Sequence, residues 1–156
     1  MLLTLSLLAA AVQAPTFTPI DPADCNDPAG RQEILAGRDT WGASGQAEVN
    51  AYNQQWQTHL EQRMDQLGMT AQERSDLAVQ AFAAPEFRHA LDASLDNLKT
   101  MMAELEAMTK NKDETEACRH LVRMTEQLPQ MIAHAETQWS LMDGMIDAVA
   151  ETRRKN

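Results

Sequence analysis

Aromatic residues are scarce in this chain: three Trp, one Tyr and three Phe among 156 residues. Gly and Pro number six each. All-β sandwiches and barrels draw on aromatic strands and Gly-rich turns, so both shortages argue against them. Positive charge is also short, with 13 Lys+Arg against 23 Asp+Glu and a net charge of −10. Phosphate contacts need Lys and Arg, so an acidic chain with no basic cluster excludes nucleic acid as a partner. There are only two cysteines, Cys25 and Cys118, too far apart for a Cys-x-x-Cys redox motif or a Cys-rich zinc site. Gly-x-Ser-x-Gly, a phosphate loop, His-Glu-x-x-His and Cys-x-x-Cys-His are all missing. The chain is therefore expected to be non-enzymatic, with no catalytic residue and no cofactor.

What is present is an apolar share of 44%, near the usual value for a folded domain. Residues 1–14 carry no charged side chain, and Leu2, Leu3, Leu5, Leu7 and Leu8 run into Ala9-Ala10-Ala11-Val12. A membrane span needs about 20 apolar residues, so this run has the length of a signal peptide core instead. Small residues place the cleavage after Ala11 or Ala14. Residues 15–28 hold Pro15, Pro19, Pro22 and Pro28 among Asp21, Asp24 and Asp27, which reads as an extended polar leader. Residues 29–156 remain for the folded domain. Export to the periplasm or beyond places Cys25 and Cys118 in an oxidising compartment, where a structural disulfide between them is the favoured reading and two free thiols the alternative.

Helical periodicity dominates the domain. Asp27-Pro28 is a helix start, and a short helix is expected to end near Gly37. Trp41-Gly42-Ala43-Ser44-Gly45 reads as a loop. Val49, Tyr52, Trp56, Leu60, Met64 and Leu67 then trace one helical face, stopped by Gly68. Thr70-Ala71-Gln72-Glu73 is a capping box that opens a helix ending at Ala84-Pro85. Leu91, Leu95, Leu98, Met102 and Leu105 form a heptad seam in the next helix. After the turn Lys110-Asn111-Lys112, a last seam runs through Cys118, Leu121, Thr125, Leu128, Ile132, Ala135, Trp139, Met142, Ile146 and Val149. It keeps its register across Pro129, which predicts a kink there and not a break. Two long helices joined by so short a turn lie antiparallel. The expected fold is all-α: an up-and-down bundle of about four helices.

Candidate sites follow from helical spacing. Glu86 and His89 share a helical face, as do Glu116 and His120, and such carboxylate–imidazole pairs are metal ligands in bundle cores. A solvated surface role is the simpler account of both pairs. Phe87-Arg88-His89-Ala90-Leu91-Asp92 resembles a short stretch of the periplasmic b-type cytochromes. That resemblance implies a four-helix haem carrier ligated by a His near the C-terminus and a Met near the N-terminus. His59, His89, His120 and His134 are the imidazoles available, and none lies in the last twenty residues. Met101, Met102, Met108, Met142 and Met145 sit in or beside seams, where the thioether fills core space more often than it binds copper. Met69-Thr70-Ala71-Gln72-Glu73 and Ala133-His134-Ala135-Glu136-Thr137-Gln138 resemble stretches of the Spy-type periplasmic chaperones. That resemblance implies an all-helical protein that binds other polypeptides. The expectation is an exported protein acting through protein contacts, whether chaperone-like, inhibitor-like or immunity-type, on a partner that the acidic surface would favour as basic. Trp41, outside every seam, is the candidate contact residue. A haem- or metal-binding bundle is the alternative. The regular seams would equally serve a homodimer.

Overall fold

A computed structural model describes residues 12–155, apart from the Trp41 side chain. Of the expected signal peptide, residues 1–11 lie outside the described residues. The leader begins without regular structure and then forms one 3-10 turn, Pro22–Asn26, where a wholly extended segment was expected. The Asp21 carboxylate accepts from the Ala23 N–H at 2.8 Å and starts this turn. The turn carries Cys25 into a buried position.

Five α-helices follow: α1 (Pro28–Gln66), α2 (Ala71–Ala83), α3 (Pro85–Lys110), α4 (Glu114–Thr125) and α5 (Gln127–Lys155). The chain is all-α, with no strand among the described residues. Asp27 caps α1 by accepting from Gly30 N–H, and Pro28 takes the first helical position. Thr70 and Glu73 form the expected capping box at the start of α2. Asp113 caps α4 by accepting from Thr115 N–H at 2.8 Å. Gly68, at φ 61°, supplies the left-handed residue that ends α1 and turns the chain.

The five helices make three rods. α1 is the first, at 39 residues and about 58 Å long. α2 and α3 form the second, bent at Ala84-Pro85. α4 and α5 form the third, kinked at Glu126, where the backbone stays right-handed helical (φ −64°, ψ −19°). Pro129 lacks the N–H that would reach Thr125, so the ladder opens one turn before the ring.

Contacts fix the directions. Glu104 meets His120 and Glu73 meets Arg153, so the second rod runs antiparallel to the third. Asn53 meets Trp139 and Arg63 meets Asp143 and Asp147, so the first rod runs parallel to the third. The third rod is central: α1 packs along one side of it, and α2–α3 along another. α1 and α3 make no extensive contact with each other.

Two clusters hold the parallel pair. At the lower end, Cys25 and Cys118 form a disulfide with Cα atoms 5.7 Å apart. It is fully buried among Ile34, Leu121 and Val122. Arg31 ties the same region by donating to Cys25 O at 3.2 Å and Thr115 Oγ1 at 2.9 Å. At the upper end, Leu60, Met69, Leu77 and Ile146 pack together, with Trp56, Trp139 and Met142 around them.

One expectation is corrected here. The short helix, the Trp41–Gly45 loop and the second helix are a single continuous α1. Each Gly costs a helix interior about 1 kcal/mol relative to Ala. Packing on both sides outweighs that cost: Ile34 is held in the disulfide cluster and Tyr52 is buried further along. Gly45 also serves a close approach, since a Cβ there would lie 3.0 Å from Leu128 Cδ1. Trp41 is therefore a helical residue and not a loop residue, and its side chain lies outside the described residues.

A methyl group added at Gly42 or Gly144 would meet nothing within 4 Å of its carbon. Gly42→Ala and Gly144→Ala should each stabilise the fold by about 0.5–1 kcal/mol. Gly45→Ala should gain less than Gly42→Ala, because Leu128 must move. Urea melts of the three variants check this order. Replacing both cysteines by Ser should cost about 4–5 kcal/mol, the loop-closure value for a bridge of this span, whose separation is 93 residues.

Candidate docking groove

The second correction concerns α3. Its inward seam is not Leu91, Leu95, Leu98, Met102 and Leu105, all of which are exposed. The positions turned to the third rod are Phe87, Ala90, Ser94, Asn97, Met101, Glu104 and Met108, buried or half-buried. This seam has the same heptad spacing, rotated about one position. Small residues there let α3 approach α5 closely. Glu104 is drawn to the interface by its partners: His120 Nδ1–H donates to its carboxylate at 2.6 Å, and Arg123 Nε–H at 3.0 Å. Burial alone would push the Glu104 carboxyl up, but those hydrogen bonds outweigh it and hold it below the usual range.

Two of the displaced leucines, Leu98 and Leu105, line an open groove. Its floor is Leu121, Met124, Leu128 and Met131 of the central rod, and α3 contributes Leu98, Met101, Leu105 and Met108. The opposite wall is α1, through Arg38, Gly42, Gln46 and Val49. The groove has a volume of about 760 Å³. Four of its apolar side chains are Met, which adapt to different shapes.

The exposed apolar side chains form a pattern. Among the described residues, Val79, Phe82, Leu91, Leu95, Leu98, Met102 and Leu105 are the large hydrophobics left exposed, at 37 to 65%. All lie on α2 and α3. The rings of Phe82 and Phe87 stack edge-on at 4.8 Å and join the two helices' contributions. From Leu91 to Leu105 the stripe is about 21 Å long at helical rise.

The ionisable residues that line the groove, Arg38 and Asp39, pair with each other. On α3, Lys99 is paired with Asp96 and Lys110 with Glu106. Glu48 and Glu126 line a separate cavity on the far side of the α1–central rod contact, beside Phe17 and Ile20 of the leader.

The metal candidates do not converge. Glu86 and His89 are exposed on α3. Glu116 pairs with Arg119, and His120 is taken by Glu104. His59 pairs with Asp143 at 3.3 Å beside Arg63. Among the described residues no group of three or more His, Cys, Asp or Glu is placed to hold a metal. No helix among them is long and apolar enough to cross a membrane. Trp41 sits in the α1 backbone beside Gly42, a groove residue. Sequence periodicity located the Leu91–Leu105 stripe but assigned it to the core. A signal for its exposure lay in the same helix, where a second heptad series begins at the more buried Phe87.

No known protein family matches the chain, and no curated protein and no solved structure proves similar to it.

At the upper end, Arg153 ties α5 to α2 by donating to the Glu73 carboxylate and to Leu67 O. Glu73 also accepts from Thr70 N–H at 2.7 Å. These bonds, the capping one foremost, hold the Glu73 carboxyl down to about 2. A depressed carboxyl stabilises the fold above its unfolded value, and that contribution is lost as pH falls from about 4.5 through 2. Arg153→Ala should raise the Glu73 value, and NMR titration of its side chain carboxyl checks this. The capping bond persists in that variant, so the value should stay below that of an unfolded chain.

Proposed function

We propose that this is an exported, non-enzymatic protein that works by binding another polypeptide through the apolar face of α2 and α3 and the groove beside it. The observation that carries this reading is the confinement of the exposed large hydrophobics, among the described residues, to positions 79–105. Scattered exposed apolar residues need no explanation, but a continuous stripe on one face marks an interaction surface. Covering these half-exposed side chains would gain on the order of 1 kcal/mol each before the costs of association. Export is supported by the apolar N-terminal run and by the buried Cys25–Cys118 bridge, since disulfides persist in oxidising compartments.

A photo-cross-linking residue at Leu95 or Met102, in the chain expressed with export, tests the reading. Both positions should yield covalent adducts with another polypeptide, and Gln54, exposed on α1, should not. Equal yields at all three positions would sink the proposal.

A further inference from the structure

The exposed stripe on α3 is self-complementary. Leu91, Leu95, Leu98, Met102 and Leu105 repeat with the 3.5-residue period that packs one helix against another. On one side of the stripe lie Ser94 and Met101, half-buried towards the central rod. On the other lie Asp92, Lys99 and Glu106, all exposed. A facing helix thus meets the stripe from solvent and finds charge on its outer flank alone.

A second copy presents the same stripe, and the flank charges discriminate among the ways of pairing two. Antiparallel stripes interdigitate in four layers at either of two registers. In the first, Leu91 lies against Met102 and Leu95 against Leu98, each contact made twice by symmetry. Outer-flank residues of antiparallel helices meet about two residues out of level, so Asp92 of each copy lies nearest Lys99 of the other. Two opposite-charge pairs result. The next seam position, Arg88, falls opposite Leu105 and beside Glu106 of the other copy. In the second register, one heptad along, Leu95 lies against Leu105 and Leu98 against Met102. Lys99 then faces Lys99 and Asp92 faces Glu106, both like-charge pairs. A parallel pair sets each charged flank beside the Ser94 and Met101 side of the other copy, where no ion pair forms. Seam and flank agree only in the first arrangement.

Nothing within the chain forbids it. Lys99 holds Asp96 at 2.9 Å, but 76% of its side chain is exposed, and an exposed pair of this kind is worth little. The five stripe residues, 37 to 64% exposed, offer roughly 450 Å² per copy, so two copies bury on the order of 1,000 Å², the lower limit for a specific interface. The net charge of −10 on each copy opposes pairing, but charges are screened beyond about 10 Å at 0.1 M salt. Small area and residual repulsion together make the pairing weak and reversible.

We infer that the protein pairs with a second copy of itself through α3, antiparallel, with Leu95 of each copy against Leu98 of the other and Asp92 against Lys99. This names the polypeptide that the apolar face binds, and it rests on the protein-binding reading above.

Sedimentation equilibrium of the disulfide-bonded chain up to about 100 µM tests the pairing. A monomer–dimer equilibrium is expected, and the cross-linked adduct at Leu95 should be a second copy of the chain. Leu95→Gln with Leu98→Gln should weaken the dimer at least about tenfold, with the monomer's melting temperature unchanged because both residues are exposed. Asp92→Lys alone and Lys99→Asp alone should each weaken it too, since each sets like charges across both flanks. Mixed in equal amounts, these two variants should form a heterodimer in excess over either homodimer, read by native mass spectrometry. Every flank pair in that heterodimer is opposite in charge, and a merely damaged fold would not recover on mixing.

A monomer throughout the concentration range would overturn the inference. If a different polypeptide were still captured at Leu95 and Met102, the protein-binding reading would stand without it; if none were, both would fall. A dimer indifferent to the leucine changes would put the contact elsewhere and overturn it as well. A dimer lost with the leucines but blind to the flank charges would overturn the Asp92–Lys99 register, on which the choice of a second copy rests.

Discussion

The parallel pairing of α1 with α4–α5 is the constraint on which the fold depends. Two parallel helices in one chain cannot be joined by a tight turn, because the second must start where the first began. The chain has to travel back the whole length of the bundle, and α2–α3 is that return path. Parallel rods also lack the hairpin that fixes register in an antiparallel pair. Here register is set by clasps spaced along the rods. Cys25 and Cys118 close the lower end. Asn53 with Trp139, and Arg63 with Asp143 and Asp147, hold the middle. Arg153, bonded to Leu67 O, closes the upper end. The disulfide is the covalent member of this series. It also recruits the leader into the core, since the 3-10 turn at Pro22–Asn26 brings Cys25 to α4.

A central rod flanked on two sides explains the split character of α3. The face that meets the central rod needs to approach it, and Ala90 and Ser94 permit that. It also needs to answer His120 and Arg123, which project from α4, and Glu104 does so. These demands use up the inward face. The bulky leucines are left at the edge, partly over the floor of the groove and partly in solvent. α1 is too far across the rod to cover them. The open groove is therefore a consequence of how the rods pack and not of missing apolar residues.

Much of this was legible in the sequence where a single strong rule governs. The α4–α5 seam, the Thr70–Glu73 capping box, the stop at Gly68, the bend at Pro85 and the kink near Pro129 each follow from local chemistry, and the structure carries all of them. The pairing of Cys25 with Cys118 followed from there being no other thiol. Two features escaped because competing terms decide them. Gly42 and Gly45 suggested a loop by propensity, but tertiary contacts on both sides carried the helix through. In α3 the larger residues suggested the core, but Glu104 and the small residues had the prior claim on the buried face. Period alone cannot separate two heptad series one position apart when both contain apolar residues. The groove itself was invisible to periodicity, because it belongs to three rods and not to any one segment.

The same competition bears on how such a surface can persist. Exposed leucines in register invite self-association, and a chain that displays them needs some opposing term. Net charge is one such term, because two copies at −10 each repel as they approach.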